Sequence, residues 1–221
     1  MIIVFVLFSL PIATAFLLFW IHPAAISIRT VRTPIVRAFL WFIPAAIIRT
    51  GMHFLPDPSY VPGALFGSIF LRDYFLWTLF GALPAVLSNR RENRDTPANL
   101  HLAYISFVGM MLSMAVFLES LLQTGAPGSY ELFLRPFLRL SMLLVIPYAL
   151  TFAESIPRGS WALALLIVLP IPASSVGLLA AWNRPVFAWI LGMLVFAGSV
   201  IPLCLYAPWR QFPCFRFLDN E

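Results

Sequence analysis

Residues 130–153 read YELFLRPFLRLSMLLVIPYALTFA, a run apolar enough to cross a bilayer that nevertheless carries Glu131, Arg135 and Arg139. At 1.5 Å per residue a helix of this length reaches about 36 Å, more than the roughly 30 Å of bilayer hydrocarbon. Glu131, Arg135 and Arg139 follow one another at intervals of four, so a helix lays them along one face, with the acid on the favoured N-terminal side of the base. An arginine at membrane depth costs between about 2.5 and 17 kcal/mol, depending on how far it snorkels, and persists only beside an acid, a polar cavity or a ligand. The ladder is therefore both a reading of the fold and the first functional clue.

The rest of the chain has the same character. Of 221 residues, 61% are hydrophobic and only 10% charged, against about 45–50% and 25% in a soluble domain; the mean hydropathy is +0.91. Twenty-one Phe, seven Trp and nineteen Pro suit helices in lipid, where Pro is tolerated and Trp collects at the interfaces. Apolar windows of about 20 residues predict seven spans, at about 2–21, 35–56, 61–87, 101–124, 130–153, 160–181 and 185–207. The expected fold class is thus an all-α membrane protein, a bundle of about seven transmembrane helices. Spans this long joined by loops this short exclude a closed barrel of ten-residue strands. The longest polar stretch, 88–99, is only a loop, so residues 1–221 form a single polytopic domain, with 208–221 as a short interfacial cytoplasmic tail.

All fourteen cations are arginine, and there is no lysine. Arg29, Arg32 and Arg37 flank the first connection, Arg90, Arg91 and Arg94 the third and Arg158 the fifth, with Arg210 and Arg216 after the last span. Under seven spans these nine share one side. The opposite loops, 57–60, 125–129 and 182–184, hold just Arg184, so the positive-inside rule places the N-terminus outside and the C-terminus in the cytoplasm, in the cell's inner membrane. The net charge of +5 therefore reports topology, and the arginines form no basic face for nucleic acid. A cleaved signal peptide ending at Ala13-Thr14-Ala15 competes poorly, lacking a basic start and running on through Trp20. A re-entrant third segment, broken at Arg72-Asp73, would abolish the charge asymmetry.

Four arginines remain unexplained by orientation: Arg49, Arg72, Arg135 and Arg139. Counted along the spans, Arg49 lies roughly 10 Å below the outer end of span two, Glu119 about as deep in span four and Arg135 at a similar level in span five. Arg139 is one turn further in, with Arg72 and Asp73 near the midplane. Adjacent residues on a helix point about 100° apart, so Arg72 and Asp73 address different neighbours. The expected pairs are Glu131 with Arg135, Glu119 with Arg49 or Arg139, and Asp73 with whichever arginine is left. Four cations meet three acids. Asp73, Glu119, Glu131 and His53 are the candidate charge partners or proton carriers, and the four arginines the candidate ligand-binding groups.

Other features are weaker. His53 and Asp57 stand four apart, but Pro56 and Pro58 oppose a helix through Asp57, and two ligands without a third make no metal site. Glu154 is placed to pair with Arg158. Cys204 and Cys214 read as free thiols. Small residues repeat at intervals of four in Gly63/Gly67, Gly109/Ser113 and Ala173/Gly177/Ala181, which predicts close helix packing or a subunit face. Pro11, Pro44, Pro84, Pro136, Pro147, Pro170, Pro172 and Pro202 predict bends, while span four has none. The turn 182–184 is short enough to force an antiparallel hairpin.

No metalloprotease helix, nucleophile elbow or phosphate loop is present, and without lysine there is no retinal Schiff base. No cofactor and no catalytic residue is expected. The leading expectation is a permease, or a membrane subunit of a transport system, with an arginine-lined polar pocket for a small anion or lipid headgroup, since the guanidinium fork binds carboxylate or phosphate at two points. The alternative is a non-transporting sensor or assembly module in which the same charges are interhelical ion pairs, and an intramembrane enzyme is a distant third. Expected partners are the lipid bilayer, a membrane or cytoplasmic subunit and the small anion.

Overall fold

A computed structural model describes residues 2–21, 28–55, 61–89, 97–123, 128, 130–155 and 159–205. Every regular element among them is helical, and they run as seven rods. We label these α1 (Ile2–Ile21), α2 (Ile28–His53), α3 (62–89), α4 (Pro97–Leu122), α5 (130–155), α6 (159–181) and α7 (Pro185–Leu205). Five of them contain segments long and apolar enough to cross a membrane: Thr30–His53, Pro62–Leu87, Asn99–Leu122, Tyr130–Glu154 and Ser160–Ala181. Shorter apolar segments, Ser9–Leu18 and Pro185–Ile201, lie in α1 and α7.

The boundaries differ from expectation chiefly at α2. It starts at Ile28 rather than 35, which puts Arg29 and Arg32 on its first turns instead of in a loop. Arginine is a good helix former, and the helix extends backwards through Pro34 at the cost of one backbone hydrogen bond. The tail 208–221, Asp57, Arg158 and the arginines at 90, 91 and 94 lie outside the described residues.

Helix α4 is the central post. It packs on α1, α2, the second half of α3, and α5. Its one proline, Pro97, stands at the first position, where no intrahelical amide is lost, so the hydrogen-bond ladder stays whole, and its small residues let neighbours approach. A Cβ added to Gly109 would collide with the Thr14 side chain, so the Gly109/Ser113 row is where α1 is seated. Gly177 in α6 is equally close-packed, against Ile69 and Tyr130. Gly63 and Gly67 differ: nothing approaches the positions their Cβ atoms would take, so this pair does not mediate packing between described residues.

Two rods contain a wide π turn. In α3, Pro62–Ile69 passes through Phe70–Phe75 into Leu76–Asn89 without a break, and the Leu76 amide donates to the Leu71 carbonyl, five residues back. The continuous rod rules out a re-entrant pair of half helices. Within and directly after this turn Asp73, Tyr74, Leu76, Trp77 and Thr78 are all buried. The second π turn, Tyr130–Leu134, leads α5 into Arg135. In α6 a bend falls at Leu169, where Pro170 and Pro172 remove two amides in succession. Helix α6 ends in a left-handed turn: Asn183 has φ 54°, and the Arg184 amide donates to the Leu179 carbonyl while that of Asn183 donates to Ala180. Asn tolerates this conformation, and the reversal joins α6 to α7 as a hairpin.

Polarity is distributed inside out. Leu40 (63%), Ile47 (67%), Leu121 (68%) and Leu194 (64%) face outward, whereas Arg139 is 0% exposed at the centre. Hydroxyls fold back on their own helices: Thr78 donates to the Tyr74 carbonyl at 2.9 Å, Ser106 to Leu102 at 2.7 Å, Thr151 to Pro147 at 2.7 Å and Ser174 to Pro170 at 2.6 Å. This i−4 bonding is how a hydroxyl is satisfied where no water competes for it.

Candidate functional site

Four helices bring one charged group or more to a single buried cluster. Asp73 on α3 sits between Arg135 of α5, whose Nη2 lies 2.8 Å from Oδ2, and Arg49 of α2, whose Nη2 lies 3.5 Å from Oδ1. Glu119 on α4 takes Arg139 Nη2 at 2.6 Å on Oε1 and stands 3.7 Å from Arg135 Nη1 through Oε2. Arg135 thus bridges the two acids, and a chain of alternating charge runs Arg49, Asp73, Arg135, Glu119, Arg139. Three cations meet two carboxylates, leaving one positive charge in excess.

Aromatic groups complete the shell. Trp77 Nε1 donates to Glu119 Oε1 at 2.8 Å, one helical turn beyond Asp73 on α3. The Arg139 guanidinium lies 5.7 Å from the ring centres of both Tyr74 and Trp77, and that of Arg135 lies 5.5 Å from Tyr130. Placed over ring faces, these cations gain attraction that partly offsets their dehydration. The Tyr74 and Tyr130 hydroxyls share a hydrogen bond of 2.6 Å, joining the two π turns directly. Even so, the guanidinium groups are not saturated. Among the described residues Nε of Arg49, Arg135 and Arg139 and Nη1 of Arg139 are buried without a hydrogen-bond partner.

A cleft of about 370 Å³ leads to this cluster. Asp73, Tyr130, Glu131 and Arg135 supply its polar wall, and Leu65, Ile69, Gly177 and Ala188 are among its apolar lining. Its rim includes Gly128, Asn183 and Pro185, all exposed, so the cleft lies at the end of the bundle that carries Gly128 and the 182–184 turn. The small Gly177 makes room: a Cβ there would stand 2.8 Å from Tyr130 Oη and 2.9 Å from Ile69 Cγ2.

Of the residues singled out from sequence, Arg49, Arg135, Arg139, Asp73 and Glu119 come together, and Glu119 takes Arg139 as one of its two expected partners. The expected Glu131–Arg135 pair is replaced. Arg135 turns inward to Asp73 and Glu119 on other helices, because the π turn at 130–134 breaks the regular four-residue register that would have stacked Glu131 above it. Glu131 stays half-buried at the cleft and makes no ion pair among the described residues. Arg72 is half-buried and outside the cluster, as the step from Asp73 requires. His53 is exposed at the end of α2, packed edge-on to Phe54, and α2 ends there. No three metal-ligating side chains gather among the described residues. At the far end of the α4–α5 contact Glu154 accepts a hydrogen bond of 2.7 Å from Tyr104, a partner that spacing along one helix does not reveal.

Tyr74, Trp77 and Tyr130 are the members that sequence reading missed. One signal was present: Trp77 follows Asp73 by four and so shares its face. No protein-family model, no curated protein and no solved structure matches the chain.

Proposed function

We propose that this chain is a multi-pass protein of the inner membrane with seven spans, N-terminus outside and C-terminus cytoplasmic, acting as a permease or as the membrane subunit of a transport system. Five helices of spanning length, the outward-facing aliphatic surface and the buried ions support the membrane reading. Its guest carries an anionic group and enters the cleft from the outer face. One observation carries the binding reading: Arg135 lines an open cleft while belonging to a cluster with more cations than acids. Arg135 is the contact residue. Arg49, Asp73, Glu119 and Arg139 are positioning residues that hold it at depth.

The geometry supports a specific response to binding. Arg135 holds Asp73 closely at 2.8 Å and Glu119 loosely at 3.7 Å. An incoming carboxylate or phosphate competes with Asp73 for the guanidinium fork, and Asp73, when released, keeps Arg49 as its counter-ion. Such an exchange loosens the tie between α3 and α5 without stranding a charge, which is the kind of two-arrangement contact that alternating access needs.

The second reading is an interhelical lock in a sensor or assembly module, favoured by the fact that Arg49, Arg135 and Arg139 all lie within ion-pair distance of a carboxylate. Thermal unfolding of the purified protein with phosphate, acetate and succinate separates the two. The transport reading expects at least one anion to raise Tm in the wild type and in Arg72→Gln but not in Arg135→Gln, since ligand at about 100 times Kd stabilises by roughly 2.7 kcal/mol. No response to any anion leaves the lock. Impermeant thiol labelling in a background lacking Cys204 and Cys214 tests the topology: Asn183→Cys reacts from outside and Arg94→Cys does not.

A further inference from the structure

Resting on the binding reading above, we infer that the guest of the cleft is a zwitterion, an anionic oxyacid group joined through a few atoms to a primary ammonium. The carboxylates decide this. The cleft wall carries one guanidinium, Arg135, and two acids, Asp73 and Glu131, so it is not a positively charged trap for a bare anion. Asp73 is already committed to Arg49 and Arg135. Glu131 is not: it is half-buried and makes no ion pair among the described residues. Its carboxylate is turned towards the rim, where a Cβ on Gly128 would stand 2.9 Å from Oε2.

A half-buried carboxylate without a counter-ion gives up part of its hydration, and a cation or donor arriving with the guest restores what is lost. Glu131 and Arg135 are four residues apart on the same rod and line the same cavity. They therefore offer an acceptor near the mouth and a fork further in. A molecule with one ammonium and one oxyanion satisfies both at once and leaves the net charge of the site unchanged. A simple anion satisfies Arg135 but brings a second negative charge towards Glu131. The Tyr130 hydroxyl and the Asn183 side chain, also at the wall, provide further polar contacts. Cleft size agrees, because about 370 Å³ holds a small polar molecule or a headgroup but not a long chain.

Two sources share this chemistry, a free amino acid and the phosphoethanolamine headgroup of a lipid. The experiment measures binding to the purified full-length protein by calorimetry and thermal shift with alanine, O-phosphoethanolamine, their halves propionate, inorganic phosphate and ethylamine, and the trimethylated analogue phosphocholine. A second arm reconstitutes the protein in vesicles of phosphatidylethanolamine or of phosphatidylglycerol. At least one zwitterion is expected to bind about tenfold or more tightly than its anionic half, as one charge-assisted contact implies. That margin should collapse in Glu131→Gln with affinity for the anionic half unchanged. Alanine winning identifies a free amino acid. O-phosphoethanolamine winning, with greater stability in phosphatidylethanolamine vesicles, identifies the headgroup.

If anionic halves bind as tightly as the zwitterions, the inference fails while the anion-binding function stands; if nothing binds, both fail. The wild-type comparison decides the matter even should Glu131→Gln fold poorly.

Discussion

Removing Glu119 is predicted to harm the protein more than removing Arg139, although they are partners. Arg139 is 0% exposed, and its ion-pair partner among the described residues is Glu119, at 2.6 Å. Glu119 accepts hydrogen bonds from Arg139 and, at 2.8 Å, from the Trp77 indole, and it forms a looser ion pair with Arg135 at 3.7 Å. Glu119→Leu therefore strands a fully buried guanidinium, which costs about 3–5 kcal/mol. It also removes the acceptor of an indole N–H, worth about 1.5–3 kcal/mol when the acceptor is charged. Arg139→Leu leaves Glu119 with Arg135 and Trp77, so its cost sits at the lower end, about 3 kcal/mol, by the same reasoning. The double variant is expected to recover part of the loss, giving a coupling of about 1–3 kcal/mol, because the stranded charge is gone. Recovery stays incomplete, since Trp77 still lacks its acceptor and Arg135 its second counter-ion. In the membrane proposed for this chain these values are compressed, as an unfolded chain in lipid also finds partners, but their order is unaltered. Equilibrium unfolding in mixed micelles, followed by far-UV circular dichroism, measures all three. Arg139→Leu costing as much as Glu119→Leu, or additive effects in the double variant, would refute the assignment of Glu119 as the hub.

Three further outcomes follow from the packing. Gly177→Ala places a methyl against Tyr130 Oη and Ile69, should cost about 1–3 kcal/mol, and is expected to be partly rescued by Tyr130→Phe, read as Tm. Gly109→Ala collides with Thr14 and should unseat α1; Thr14→Gly restores it, and protease protection of the α1–α2 connection reports the difference. Trp77→Phe removes the donor to Glu119 and should cost about 1.5–3 kcal/mol, whereas a neutral result in unfolding titrations would mean that the indole contributes through its ring face alone.

Composition and span-length runs were enough for the helical class and the approximate element bounds, because backbone polar groups in an apolar sequence have few ways to be satisfied other than within helices. The short turn at 182–184 announced the α6–α7 hairpin for the same local reason. Arg49, Asp73, Glu119, Arg135 and Arg139 were legible as site candidates, since a charge in an apolar run is conspicuous wherever it occurs. What remained hidden is pairwise. The Glu131–Arg135 ladder that opened the sequence reading follows from ideal helical spacing, and the π turn at 130–134 cancels it. A second π turn, at 70–75, precedes the buried Trp77 and contains Asp73 and Tyr74, and nothing in a local window signals that turn.

The sequence by itself determined that these arginines need partners, because a charge inside an apolar run is costly unless it is paired or reaches water. Only the tertiary structure decided which partners they take. The choice of Asp73 and Glu119 over Glu131 rests on where four separate helices meet and on two turns that depart from regular geometry. Glu131, which local spacing assigns to Arg135, is thereby left facing the cleft.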